Sequence, residues 1–325
     1  MKLIIQIPCY NEAATLATAL SALPRAVPGF TAVEWMVIDD GSTDDTARVA
    51  RENGADHVVR HTRNQGLARA FMTGIQEAVR LDADVIVNTD ADNQYNADDI
   101  PALTRPIING QADIVVGARP IDSIHHFSPI KKFLQKMGSW VVRMASRTDV
   151  ADAASGFRAM SSDAAQQLIV VNDYTYTLET IIQAGQKNMA ILSVPVRVNA
   201  DLRPSKLVKN IPSYVIRSMV TIVRIFIVYR SFRFLSSIGA ILFGTGFSVG
   251  MRFLWFYFNH QGEGHTQSLV LASVLLGMGF QMLLIAVIAD LLSVNRKLLE
   301  DIRYVVRQKP DDMQTSKNTE KRDNG

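Results

Sequence analysis

The chain has 325 residues, 48% of them hydrophobic and 20% charged, with a net charge of only +3. That length suits one domain plus an appendage, and a balance so near neutral names no partner by bulk charge. A single cysteine, Cys9, excludes a disulfide framework; inside an apolar run it is expected to be a small buried hydrophobe.

The first apolar run, Leu3–Ile7, is too short for a signal peptide and lacks a small-residue cleavage site. The N-terminal part is therefore expected to stay in the compartment where it is made. Further short Val- and Ile-rich runs follow at Trp35–Ile38, His57–Val59, Asp84–Val87 and Asp113–Val116. They read as strands buried on both faces. Between them, Glu12–Leu23 carries Ala13, Leu16, Leu20 and Leu23 on one helical face, and Gly66–Leu81 carries Leu67, Ala70, Phe71, Ile75 and Val79. Strands alternating with helices predict an α/β domain over residues 1–205 with a mostly parallel sheet. Trp140 and the Met-rich apolar positions are expected in its core, and His125-His126 in a solvated loop.

After about residue 205 the composition changes. Leu202 to Arg233 holds seven Lys or Arg and no Asp or Glu. Residues 206–233 read as amphipathic juxtamembrane helices, broken at Pro212. Phe234–Phe258 and Ser268–Leu292 each exceed the roughly 20 residues that span a bilayer core. Gly246-x-x-x-Gly250 offers a packing face, and Arg252 is expected to snorkel. The loop Asn259–Gln267 has no Lys or Arg, whereas Arg224, Arg230, Arg233, Arg296, Lys297, Arg303 and Arg307 flank the other ends. The positive-inside rule then sets both termini in the cytoplasm. Residues 293–325 form a basic tail, expected to be disordered from Lys309 on.

Ligands of open α/β sheets bind at the carboxyl ends of the strands. Asp39-Asp40 closes the second run there, and Asp90-Ala91-Asp92-Asn93-Gln94 follows the fourth. Two carboxylates one residue apart at a strand end can share a hard divalent cation, which would also grip a diphosphate. Ile7-Pro8-Cys9-Tyr10-Asn11-Glu12 and Asp40-Gly41-Ser42-Thr43-Asp44 bring more acidic and small polar residues to the same edge. Helix capping accounts for Asp44, and for Asn64, without any ligand.

The set Pro8-x-Tyr10-Asn11-Glu12, Asp39-Asp40-Gly41-Ser42-Thr43-Asp44, Asn64-x-Gly66, Asp90-Ala91-Asp92-x-Gln94, Gly117-Ala118-Arg119 and Ser155-Gly156-Phe157-Arg158 resembles family 2 glycosyltransferases of the GT-A fold. More narrowly it resembles polyprenyl-phosphate sugar transferases of the dolichol-phosphate mannose synthase type and their bacterial two-helix relatives. The resemblance covers residues 3–300 and implies a nucleotide-diphospho-sugar transferase domain with a Rossmann-like sheet, then interfacial and transmembrane helices. It implies that Pro8, Tyr10 and Glu12 line the nucleotide, and that Asp40 holds the base or ribose. Asp90, Asp92 and Gln94 would surround Mg²⁺ or Mn²⁺, with Asp92 a direct ligand. Arg119 would contact phosphate on the acceptor side, joined by Arg203 and Lys206 from an Arg…Ser-Lys loop. Where the family often has an Arg for the lipid phosphate, Lys131-Lys132 stand here, Lys132 being the closer match; Lys supplies charge without the bidentate fork. The implied partners are a nucleotide-diphosphate sugar, expected in the UDP form, a polyprenyl phosphate such as undecaprenyl phosphate, anionic lipids and a second copy of the chain, with no nucleic acid. Two other readings stay open on the sequence: a processive polysaccharide synthase, though Trp35, Trp140 and Trp255 lie outside any Gln-x-x-Arg-Trp motif, and a non-catalytic nucleotide-binding scaffold.

Overall fold

The structure, a computed structural model, describes residues 1–120, 137–140, 142–144, 146, 148–170, 176–199, 220, 231–259 and 266–323. The expectations for Lys131, Lys132, Arg203, Lys206, His125, His126 and most of the 206–233 segment fall outside the described residues. The chain divides into two units, Met1–Ser218 and Met219–Gly325.

In the first unit the strands are β1 (Lys2–Cys9), β2 (Ala32–Asp39), β3 (His57–Arg60), β4 (Val85–Asn88), β5 (Ile114–Ala118), β6 (Arg158–Ser161) and β7 (Ile191–Pro195). The helices between them are α1 (Ala13–Ala22), α2 (Thr46–Glu52), α3 (Leu67–Arg80), α4 (Ile100–Ile108), α5 (Ser162–Gln167) and α6 (Thr177–Gln186). One seven-stranded sheet runs β3-β2-β1-β4-β6-β5-β7. The β3-β2-β1-β4 half is parallel throughout, as the alternating pattern requires. Beyond it, β6 lies antiparallel between β4 and β5, with Arg158 opposite Asn88 on one side and Val116 on the other. Neither β6 nor β7 stands out in the sequence: β6 is four residues long, and β7 is a half-exposed edge strand.

The core explains the order of elements. Leu3, Ile5 and Ile7 of β1, Val37 of β2, and Val85 and Val87 of β4 share one cluster with Leu16, Leu20, Leu103 and Phe157. Burying each such side chain contributes about 1.5–3 kcal/mol relative to exposure. On α3 the buried face is Ala68, Phe71, Met72, Ile75 and Ala78, so Leu67, expected inside, is 39% exposed. Trp140, also expected inside, is 51% exposed. A Cβ on Gly74 of α3 would come 2.3 Å from Oε1 of the buried Gln6, so only glycine lets this helix approach β1 so closely.

The second unit holds two helices, α7 (Ser231–Phe258) and α8 (Thr266–Asp323). Phe232–Phe258 and Thr266–Asn295 are long and apolar enough to cross a membrane, with mean hydropathies of 1.6 and 2.3. Their large side chains point outwards, Trp255 and Leu292 among them. The two helices meet at small residues: a Cβ on Gly279 would lie 2.6 Å from the Phe243 nitrogen, and one on Gly246 2.9 Å from Leu275 Cβ. Gly250 is looser, its nearest neighbour being Ala272 Cβ at 3.8 Å. Arg252 is exposed, its guanidinium 5.7 Å from the Phe256 ring centre. The tail expected to be disordered after Lys309 continues α8 to Asp323.

Candidate active site

Three βα turns at the carboxyl edge of the parallel strands are clipped to one another. Asn11, at φ 54°, donates its backbone N–H to Ser42 Oγ (2.9 Å), and its side chain accepts from Thr43 N (2.8 Å). Glu12 N donates to Thr46 Oγ1 (2.9 Å). Asp44 accepts from Thr46 N through one oxygen and from Ala13 N, the first amide of α1, through the other. Asp44 therefore caps across to the neighbouring turn, whereas the residue preceding α2 is Asp45. Asn64 caps nothing; Gly66, at φ 93°, is the N-cap of α3. Gly41, at φ 69°, lets the third turn lie flat on the second, since a Cβ there would be 2.4 Å from the Arg63 carbonyl carbon.

Asp40 is the centre of this lattice. It is 2% exposed. Its Oδ1 accepts from Gln65 N (2.9 Å) and meets His61 Nδ1 at 2.7 Å, while Oδ2 accepts from Gly66 N (2.8 Å). The other His61 nitrogen lies 3.0 Å from Thr73 Oγ1 on α3. Asp40 thus holds the 65–66 turn and offers no open carboxylate at the edge. Its neighbour Asp39 accepts from Ser42 N (2.9 Å) through Oδ1. Asp39 Oδ2 lies 3.1 Å from Arg60 Nε, within ion-pair distance but without the alignment of a hydrogen bond, so it is a buried acceptor still open to a donor. Pro8 is buried inside β1, opposite Ile38, whereas Tyr10 just beyond it is 43% exposed. Glu12, beside Tyr10, accepts from Thr15 Oγ1 (3.0 Å).

The Asp90–Gln94 turn follows β4. Asp92 Oδ1 accepts from Gln94 N (3.1 Å), and Asn93 takes a left-handed φ of 55°. The turn is gripped from the chain after β7: Asn199 N donates to Gln94 O (2.8 Å), and Asn199 Nδ2 to Asn93 O (2.9 Å) and Tyr95 O (3.2 Å). Behind it, the Ser155–Arg158 motif forms a buried wall. Asn88 Nδ2 donates to Gly156 O (2.8 Å) and Tyr176 Oη (2.9 Å), and Gly156 N donates to Tyr95 Oη (3.0 Å). A Cβ on Gly156 would lie 3.0 and 3.1 Å from the two Asp90 oxygens, so glycine is what lets the wall reach the carboxylate. Arg158 is wholly buried; it donates to Thr177 O (3.1 Å), Thr180 Oγ1 (2.6 Å) and Ser155 O. Arg119 donates Nε–H to Asp152 Oδ2 (2.6 Å) and Nη2–H to Asp152 Oδ1 (3.1 Å). Asn88, Tyr95, Asp152, Tyr176 and Asn199 are the residues that sequence reasoning missed or used only in passing. Tyr95 and Asp152 stood inside or beside recognised motifs; nothing in the sequence marked Asn88 or Asn199.

The fit of a metal rests on Asp90. The carboxylate is half-buried and accepts no hydrogen bond from any described residue. Burial, and then the charge of Asp92, push its pKa up to about 7; Arg119 and Arg158 oppose this, and Glu12 adds to it. So Glu12, Asp90, Asp92 and Arg119 share one electrostatic neighbourhood with an excess of negative charge to be neutralised. No group of three His, Cys, Asp or Glu that could hold an ion occurs among the described residues. Two carboxylates with hard oxygen donors suit a cation such as Mg²⁺ or Mn²⁺ whose other positions are filled by phosphate oxygens and water.

A nucleotide-sugar-transferase fold with an acidic turn at its carboxyl edge defines the class. The description of glycosyl transferase family 2 matches residues 4–169, about half of the chain. The chain belongs to that family and is a glycosyltransferase of the GT-A fold. It is 29% identical over 213 residues to the UDP-N-acetylglucosamine–dolichyl-phosphate N-acetylglucosaminyltransferase of Methanococcus voltae, covering 59% of this chain and 83% of that one. It is 27% identical over 218 residues to the undecaprenyl-phosphate mannosyltransferase of Micrococcus luteus, covering 64% and 88%. Among solved structures it is similar to glucosyl-3-phosphoglycerate synthase from Mycobacterium tuberculosis with phosphoglyceric acid, at TM-score 0.55 and 22% identity over 68% of this chain and 79% of that one. The same enzyme with Mn²⁺, UDP and glucosyl-3-phosphoglycerate matches at TM-score 0.52 and 20% identity, over 68% and 79%. At these identities the structural likeness concerns the fold.

Proposed function

We propose that this enzyme transfers a single sugar, with inversion, from a nucleotide-diphosphate sugar, UDP-linked by preference, to a polyprenyl phosphate such as undecaprenyl phosphate at the cytoplasmic membrane face, for cell-envelope glycans. The observation that carries this is the Asp90–Asp92 turn: a half-buried carboxylate with no described donor beside a second carboxylate. Support for the acceptor comes from the Micrococcus luteus and Methanococcus voltae relatives, whose names specify polyprenyl phosphates.

In this reading residues 1–205 are the catalytic domain and 206–233 amphipathic juxtamembrane helices. Residues 234–258 and 268–292 are spans with both termini cytoplasmic, and 293–325 are the cytoplasmic tail. Tyr10 and Glu12 line the nucleotide directly. Pro8 acts through the strand end it shapes, and Asp40 through the Gln65–Gly66 turn it holds. Asp90 and Asp92, with Gln94 nearby, would hold Mg²⁺ or Mn²⁺, which would supply positive charge against the departing diphosphate. A lipid monophosphate carries about 1.5 to 2 negative charges at neutral pH and needs no general base. Its oxygen forms the new bond to sugar C1 as the bond from C1 to the diphosphate breaks, and the nucleoside diphosphate takes the electron pair. Arg119, held by Asp152, and Lys132, Arg203 and Lys206 supply the cationic surroundings. Asn199 supports Arg203: it is bonded to the Asn93–Tyr95 turn, and Arg203 follows four residues later, within about 14 Å of extended chain.

The test is a donor screen with the purified full chain, Mn²⁺ and undecaprenyl phosphate, read by the mass of the lipid product. A glycosylated lipid phosphate supports the proposal. A long water-soluble polymer, or donor binding without turnover, overturns it.

A further inference from the structure

Residues 137–140, 142–144 and 146 are helical, and their amphipathicity is reversed. The inward positions are small or polar: Ser139 (3% exposed), Val142 (0%) and Ser146 (1%). Ser139 Oγ accepts from Ala153 N (3.2 Å), and Ser146 Oγ donates to Val142 O (2.6 Å). A Cβ on Gly185 of α6 would lie 2.2 Å from Ser146 O, so this face is packed close to its neighbour. The outward positions carry the large apolar side chains instead: Trp140 and Met144, one helical turn apart, are 51% and 41% exposed.

A single exposed apolar residue needs no explanation, but an outward pair over a small, polar inward face does. Composition names the occupant. From Ser123 to Thr148 there is no Asp or Glu, while Lys131, Lys132, Lys136, Arg143 and Arg147 are basic. Trp with flanking Lys and Arg is the pattern of a segment lying in a bilayer interface, where the indole sits at headgroup depth and the basic residues are drawn to anionic lipid. The same chain holds two helices fit to span a membrane.

We propose that Trp140 and Met144 seat the catalytic unit on an anionic bilayer surface, as a contact separate from the two spans. This rests on the membrane reading of α7 and α8, and the test separates the two. The full chain is placed in phosphatidylglycerol nanodiscs with ordinary or dibrominated acyl chains. The Trp255→Phe variant reports on Trp140, and Trp140→Phe reports on Trp255 in α7. The double variant gives the baseline of Trp35, which is buried. All the replaced residues are exposed, so these variants keep the fold.

The expected result is that Trp140 emission is blue-shifted and lost in dibrominated lipid to an extent comparable with Trp255. Quenching of Trp255 alone, with Trp140 emitting as in water, overturns the contact and leaves the spans intact. A blue-shifted but unquenched Trp140 also overturns it, since the face is then covered by protein, such as a second copy. If neither is quenched, the membrane reading of α7 and α8 fails together with this contact.

Discussion

Arg119 and Asp152 form a two-pronged ion pair, Nε to Oδ2 at 2.6 Å and Nη2 to Oδ1 at 3.1 Å, with both side chains almost wholly buried. The fork is spent on orientation, so Asp152 decides where the cation of Gly117-Ala118-Arg119 points. Its remaining N–H groups make no hydrogen bond to described residues. Asp152→Ala is expected to cost about 3–5 kcal/mol, because it strands a buried guanidinium. Thermal melting of the detergent-purified protein measures that loss. Asp152→Asn keeps one acceptor and is expected to melt higher than the Ala variant while still losing transfer. An Asn variant with normal turnover would show that the direction of Arg119 is unimportant.

Asp40 is expected to act on the donor through the 65–66 turn. Asp40→Asn replaces an acceptor-only group that faces Gln65 N, Gly66 N and His61. A loss of about 1.5–3 kcal/mol in stability is expected from a hydrogen bond to a charged group, together with weaker donor binding by calorimetry. His61→Ala should weaken binding as well, and the two losses should fall short of additivity in the double variant. Full additivity would separate the two residues.

Gly156→Ala places a methyl group 3.0 Å from Asp90 Oδ1 and Tyr176 Oη. The carboxylate has to shift by a few tenths of an ångström. The expected outcome is roughly tenfold weaker Mn²⁺ binding, about 1.4 kcal/mol, measured by electron paramagnetic resonance titration of the full chain. Unchanged affinity would mean that the Ser155–Arg158 wall gives way rather than Asp90.

Asp92→Asn keeps the shape of the turn, since its Oδ1 can still accept from Gln94 N. Transfer from radiolabelled nucleotide sugar is expected to fall by about 10²–10³, the size typical of removing one preorganised electrostatic stabiliser. Membrane insertion should be intact. Full activity in this variant would remove Asp92 from the metal site.

By itself the sequence determined the parallel half of the sheet, the placing of the acidic motifs at its carboxyl edge and the two apolar helices. Each of these follows from local periodicity or from run length, which any window of the chain carries. Tertiary structure decided which motif residue stays open at the edge and which faces another loop. Asp40 looks in sequence like any other acidic residue of the edge, but donors from a turn more than 20 residues away take up both its oxygens, and one oxygen of Asp44 is taken by Ala13 N, 31 residues away. It also decided that β6 runs antiparallel beside β4, which sets Gly156 against Asp90, and that Trp140 points outward although its residue type argued for the core. These outcomes depend on contacts between segments far apart in the chain, and a hydrogen-bond donor that arrives from 60 residues away leaves no mark on the local pattern.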